Sequence, residues 1–250
     1  MVLLTFNIIN NKSDFKKGHF LSDEELVNIT AQNATSILRL LEFNNILATF
    51  FVEISLVEKI QPIIKKMISG GHELALYNKN ATLPEIETAK KCGEELTGKM
   101  IRGIRQKDLL VSVEDLKILG FTYISNIENA DILFPLKRLK RSTEISLQQG
   151  IHIIPESISP YSQIPYNDFV FQVLPLKYYE NMVLETIKND DFVVVYLNTW
   201  QFTDVEKHGL DIPIYRRYQS GRKMENKLEN FLLWINEENL AYSRMKDFIF

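Results

Sequence analysis

The sequence predicts an α/β fold built on a mainly parallel sheet or barrel, and three observations predict it. Short runs of apolar, β-branched and aromatic residues recur along the chain, as at residues 2–6, 46–52 and 192–197; runs of that length read as buried strands. Longer stretches between them carry apolar residues at helical spacing. Amides or glycines close those stretches, at Asn44-Asn45, Gly70-Gly71, Gly98 and Gly120, where a helix is expected to stop. Strand, helix and strand in repetition make βαβ units, whose strands pair in parallel.

The first strand, from Val2, ends in the amides Asn7 and Asn10. The C-terminal ends of parallel strands are where α/β sheets and barrels build sites. Asn7 and Asn10 can hydrogen-bond there, but they can neither take up a proton nor firmly hold a cation. Ser22 and Glu25 have capping-box spacing and open a helix with Leu26, Ile29, Ile37, Leu38, Leu40 and Leu41 on one face. A strand at 46–52, a helix at 56–69 and a strand at 73–77 follow. A helix from Leu83 carries Ile86, Ala89, Cys92 and Leu96 on one side, ends at Gly98 and leads to a strand at 100–104. Residues 112–119 read as a helix, 121–124 as a strand, and 133–172, with four prolines, as strands and loops. The strongest strand lies within 191–199. Residues 225–236 form a last amphipathic helix with Leu228, Phe231, Leu232 and Ile235 inward.

With 250 residues the chain can bury one substantial core, and the expected organisation is a single domain over 1–250. A net charge of −3 argues against broad nucleic-acid or anionic-membrane binding. The basic cluster Lys137, Arg138, Lys140 and Arg141 reads as a solvated face. Cys92 stands alone and reads as structural. The N-terminus lacks a basic region and a small-residue cleavage site, so the expected location is cytoplasmic. Direct membrane insertion is not expected, since no run approaches about 18 apolar residues. The histidines, His19, His72, His152 and His208, lie too far apart in sequence for a local metal motif. No Gly-x-Ser-x-Gly elbow or phosphate-cradling glycine loop is present, and no cofactor or metal is expected.

Several stretches, in order, resemble the polysaccharide deacetylase (NodB-homology, carbohydrate esterase 4-like) family. They are Leu4-Thr5-Phe6-Asn7, Ala48-Thr49-Phe50-Phe51-Val52, Gly70-Gly71-His72-Glu73-Leu74-Ala75, Leu96-Thr97-Gly98-Lys99, Arg102-Gly103-Ile104-Arg105, Leu119-Gly120-Phe121-Thr122-Tyr123 and Tyr196-Leu197-Asn198-Thr199-Trp200-Gln201-Phe202. The resemblance covers nearly the whole chain and implies an irregular (β/α) barrel of about seven strands. It also implies a hydrolase that removes acetyl groups from sugars, with a metal held by one Asp and two His, a second Asp as base and a His as general acid. The metal would lower the pKa of its bound water and polarise the acetyl carbonyl.

Those chemical groups are replaced in this sequence. The acidic pair of the first motif becomes Asn7-Ile8, with Asn10 the next polar residue. The metal histidines become Tyr77 and Ala81. Arg105 is kept, but Lys107 stands where a proline is expected. An Asp aligns with Ile124, and the general-acid histidine becomes Asn198. His72 aligns with a structural histidine, and Trp200 survives. The resemblance therefore implies a catalytically degenerate member with no catalytic or metal residue, in which Asn7, Asn10, Tyr77, Arg105, Asn198 and Trp200 line a pocket that binds a carbohydrate or a glycan-pathway protein. The alternative is an active N- or O-deacetylase with a relocated site using Glu73, Asp108, Glu156, Asp168 or His152.

Overall fold

The computed structural model describes residues 1–9, 22–106, 111–126, 142–208 and 214–249. In chain order its elements are β1 (Val2–Ile8), α1 (Asp23–Phe43), β2 (Thr49–Glu53), α2 (Gln61–Ser69), β3 (Glu73–Asn78), α3 (Leu83–Thr97), β4 (Gly103–Gln106), α4 (Val113–Ile118) and β5 (Tyr123–Asn126). There follow β6 (Ser146–Gln148), β7 (Ile151–Ile154), α5 (Asp168–Val173), α6 (Leu176–Asp190), β8 (Val193–Asn198), α7 (Ile214–Arg217), α8 (Arg222–Glu237) and α9 (Met245–Phe248). Short 3-10 turns follow β2 and β8. The strands form one eight-stranded sheet in the order β6-β7-β5-β4-β3-β2-β1-β8. Every neighbouring pair is parallel except β6 with β7. The expected irregular (β/α) barrel is thus present as a curled sheet, with a short antiparallel strand added at one edge. The outer edge of β8 is stitched to the 157–166 segment, where the Ser157 hydroxyl accepts from the Val194 amide at 2.8 Å.

The pleat sorts side chains into two cores, because alternate residues on a strand face opposite sides. Val2, Leu4, Phe6, Phe50, Val52, Leu76 and Ile104 face the helix layer and pack with Ile37, Leu41, Ile86, Leu228 and Phe231. Leu3, Phe51, Ala75, Tyr123, Ile154 and Val194 face the barrel interior and pack with Met245 of α9. Gly103 is required there: a Cβ on it would lie 1.9 Å from Cζ of Tyr123, whose ring crosses its backbone.

Local chemistry explains where the elements start and stop. Ser22 and Glu25 form the expected capping box on α1. Gly98 ends α3 in the left-handed conformation, at φ 63°. The helix expected at 56–69 instead begins at Gln61, because Pro62 needs no amide partner in the first turn and favours a helix start there. The strands expected at 46–52, 100–104 and 121–124 begin two or three residues later, once the preceding turns are complete. Helix α6 was not expected; its buried Tyr179, Met182, Val183 and Thr186 recur at helical spacing. Part of the expected 133–172 loop region is the helix α5, opened by the Asn167 side chain accepting from the Val170 amide. The basic cluster at 137–141 lies outside the described residues. Among the described residues no helix is long and apolar enough to cross a membrane.

The end of the barrel at which the parallel strands begin is closed by α9. The Glu73 carboxylate, 3% exposed, accepts from the Tyr123 hydroxyl at 2.9 Å, the Thr49 hydroxyl at 2.8 Å and the Lys246 amide at 3.0 Å. Burial raises its pKa, and those bonds oppose the shift. Next to it His72 faces the other side, accepting from the Ala48 amide through Nδ1 at 3.2 Å. Burial, then the charge of Arg244, pulls its pKa down to about 4, so it is a neutral structural group, as expected from the sequence.

Candidate functional site at the barrel mouth

At the opposite end, where the parallel strands finish, the register sets Asn7 of β1 beside Asn198 of β8. Pairing of β3 with β4 and of β4 with β5 sets Tyr77, Arg105 and Ser125 in a row. All five residues face inward, and four polar side chains join into one chain of hydrogen bonds. Arg105 Nη1 donates to Asn7 Oδ1 at 2.8 Å, Asn7 Nδ2 donates to Asn198 Oδ1 at 2.9 Å, and Asn198 Nδ2 donates to Asp168 Oδ2 at 2.6 Å. A guanidinium can only donate and a carboxylate can only accept, so the two charged ends fix which way both amides point.

Arg105 is the anchor. It is fully buried. Its Nη1 also donates to Thr5 Oγ1 at 3.0 Å, and its Nε and Nη2 reach Ser125 Oγ at 3.0 and 2.9 Å. The guanidinium lies 3.8 Å from the centre of the Phe51 ring and 5.5 Å from that of Tyr196. Burial lowers its pKa to about 10, against the opposing pull of Tyr196, Tyr123, Tyr77 and Glu156, so it remains a cation at neutral pH. Ser125 is the interior residue on β5. Ile124, where the resemblance aligned an Asp, faces the helix layer instead, because the pleat turns neighbouring residues to opposite faces.

The other expected residues divide by exposure. Tyr77 and Asn198 are half-buried. Burial raises the pKa of the Tyr77 phenol, with Arg105 opposing and Glu53 and Asp168 adding to the rise. Asn7 is 2% exposed and Trp200 5%. Trp200 sits in the 3-10 turn after β8 with the Arg216 guanidinium 5.4 Å from its ring centre. Asn10 and Asp108 lie outside the described residues.

Sequence reasoning missed the residues that hold this corner together. Gln201 Oε1 accepts from the Asn198 amide at 3.1 Å, while its Nε2 donates to the Asp168 carbonyl at 2.9 Å and to Gln172 Oε1 at 3.0 Å. The signal available was Gln201 three residues after Asn198, the capping-box spacing. The acids of the relocated-site alternative are not gathered together: Asp168 is at the mouth, Glu156 hydrogen-bonds Tyr196 inside the barrel, and Glu73 is at the far end.

The divalent metal that the resemblance implies does not fit these donors. The amide oxygens of Asn7 and Asn198 already accept from protein groups. A buried guanidinium stands within hydrogen-bond reach of the first of them, and Ala81 offers no donor side chain. Hard cations take carboxylates and zinc takes imidazole or thiolate. Among the described residues no three His, Cys, Asp or Glu are grouped to hold a metal ion.

No family model and no curated relative matches the sequence. Comparison of structures does find similar folds. A probable polysaccharide deacetylase from Pseudomonas aeruginosa PAO1 superimposes with a TM-score of 0.63 at 12% identity, over 98% of this chain and 88% of that one. Puue allantoinase gives 0.62 at 13% identity, over 98% and 87%. The CE4 family pseudoenzyme BA3943 from Bacillus anthracis gives 0.51 at 12% identity, over 99% of this chain and 64% of that one. The chain therefore has the NodB-like (β/α) barrel fold of the carbohydrate esterase 4 family.

Proposed function

We propose that this protein is a non-catalytic relative of the polysaccharide deacetylases that binds a glycan, or a protein of a glycan pathway, at the barrel mouth. The chain from Arg105 through Asn7 and Asn198 to Asp168 carries this reading. It fills the position of the implied catalytic groups with oriented amides that satisfy one another. Neutral amides and a phenol recognise hydroxyl groups without protonating or deprotonating them. The similarity in fold to a CE4 pseudoenzyme supports the reading; the higher TM-score to an allantoinase means that the fold alone does not choose the ligand.

The accessible members of the set, Tyr77 and Asn198, are the residues expected to touch the ligand. Asn7 and Arg105 position them from beneath, and Trp200 is packing rather than a stacking platform. Isothermal calorimetry against a panel of short glycans tests this reading. The parent protein is expected to bind at least one, and Tyr77→Ala and Asn198→Ala to weaken it about tenfold with unchanged circular dichroism. If no glycan in the panel binds the parent, the sugar-binding reading fails.

A further inference from the structure

The fold leaves one buried donor unsatisfied at the closed end of the barrel. His72 is 5% exposed, and the bond its Nδ1 accepts from the Ala48 amide puts the proton of a neutral ring on Nε2. Burial, then the charge of Arg244, keeps the ring neutral, with a pKa of about 4. Nε2–H is therefore a donor of fixed direction, and among the described residues nothing accepts its hydrogen.

That ring lines a cavity of about 290 Å3 between the last turns of α1 and α2, at the lower limit of small-ligand sites. Leu38, Leu41, Ile46 and Leu47 supply apolar walls. Gly70, also on the lining, leaves the ring edge open: a Cβ on it would stand 3.2 Å from Nε2, so the space it leaves is within hydrogen-bond reach of that nitrogen. The surroundings select the chemistry that fits there. A protonated Nε2 has no lone pair for a metal ion. The negative dipole ends of α1 and α2 meet at the cavity, and with Glu42 on its rim they outweigh the single cation Lys66, which disfavours an anion. An uncharged acceptor on an alkyl chain satisfies both the donor and the walls.

We infer that this cavity is a binding site for an uncharged short-chain acyl compound, whose carbonyl oxygen accepts from His72 Nε2–H while its alkyl chain lies against Leu38, Leu41 and Leu47. The site is at the end of the barrel away from the mouth and is too small for an oligosaccharide, so the inference stands apart from the glycan-binding reading. Titration of the whole protein with hexanamide at neutral pH, followed by the imidazole 15N resonances of His72, tests it. Hexanamide is expected to shift the Nε2 resonance saturably, with a Kd in the millimolar range. Hexanoate is expected to bind at least about tenfold more weakly, and hexylammonium, which has no acceptor, to leave the resonance in place. Gly70→Ala, at a φ of −76° that alanine adopts freely, puts a methyl in the acceptor position. Ser69→Trp fills the cavity from an exposed position at the end of α2. Each variant should weaken hexanamide about tenfold, with circular dichroism unchanged. Absence of a saturable shift in the parent overturns the site. Equal binding of hexanoate, or the same Nε2 shift with hexylammonium, overturns the choice of an uncharged acceptor, and undiminished hexanamide binding by both variants overturns its placement in this cavity.

Discussion

The two ends of the barrel solve the same problem in opposite ways. Each buries an ionisable side chain inside the barrel, where an unpaired polar group would be costly. At the closed end the Glu73 carboxylate is met by two hydroxyls and a backbone amide, all donors, and covered by α9. At the mouth the Arg105 guanidinium is met by Ser125, Thr5 and Asn7, all neutral acceptors. From there its influence passes through two amides to the half-buried carboxylate of Asp168. The closed end terminates in packing and is structural. The mouth terminates in half-exposed polar groups, and that is where a ligand can be read.

Removing the acceptor at the closed end should have the largest effect. Glu73→Ala strands the Tyr123 and Thr49 hydroxyls and releases the amide contact to α9, so urea denaturation should show a loss of about 3–5 kcal/mol. A loss below about 1 kcal/mol would break the claim that this carboxylate holds α9. Arg105→Met keeps the bulk at the mouth but removes every donor, and about 2–3 kcal/mol should be lost. A larger loss here than for Glu73→Ala would reverse the comparison.

The pH dependence comes from the closed end. His72 has its folded pKa lowered from 6.5 to about 4, so between those values the unfolded chain binds the proton more readily. The stability it contributes is present above pH 6.5 and is lost as pH falls toward 4; about 2 kcal/mol should disappear over that interval. His72→Gln should flatten that part of the curve. The smallest effect is expected at the mouth: Asn7→Asp gains a charge pair with Arg105 but loses the donor to Asn198, leaving stability within about 1 kcal/mol of the parent. It should also produce no acetate release, because Tyr77, Ala81 and Asn198 remain.

Much of the fold was legible because local signals and tertiary packing agree. The Ser22–Glu25 box, Gly98 and the inward face of Leu228, Phe231, Leu232 and Ile235 stand where the sequence placed them. Helix α6 was hidden because its apolar residues are diluted by Lys177, Glu180, Glu185 and Lys188, and nothing but tertiary packing selects the face with Tyr179 and Met182. At the mouth, Asn7, Asn198, Tyr77 and Arg105 could be read because each ends or lies on a strand. Their partners could not. Ser125 needed the pleat direction of β5, and Asp168 and Gln201 needed the packing of α5 against β8, which sequence spacing does not encode.

The proposed function puts oriented amides, rather than a metal centre, at the mouth. Its most direct test is the zinc content of protein purified without chelators, measured together with acetate release from an N-acetylated glucosamine oligomer. Substoichiometric zinc and no release above the uncatalysed rate are expected. One zinc per chain, with acetate release that EDTA abolishes, would contradict it.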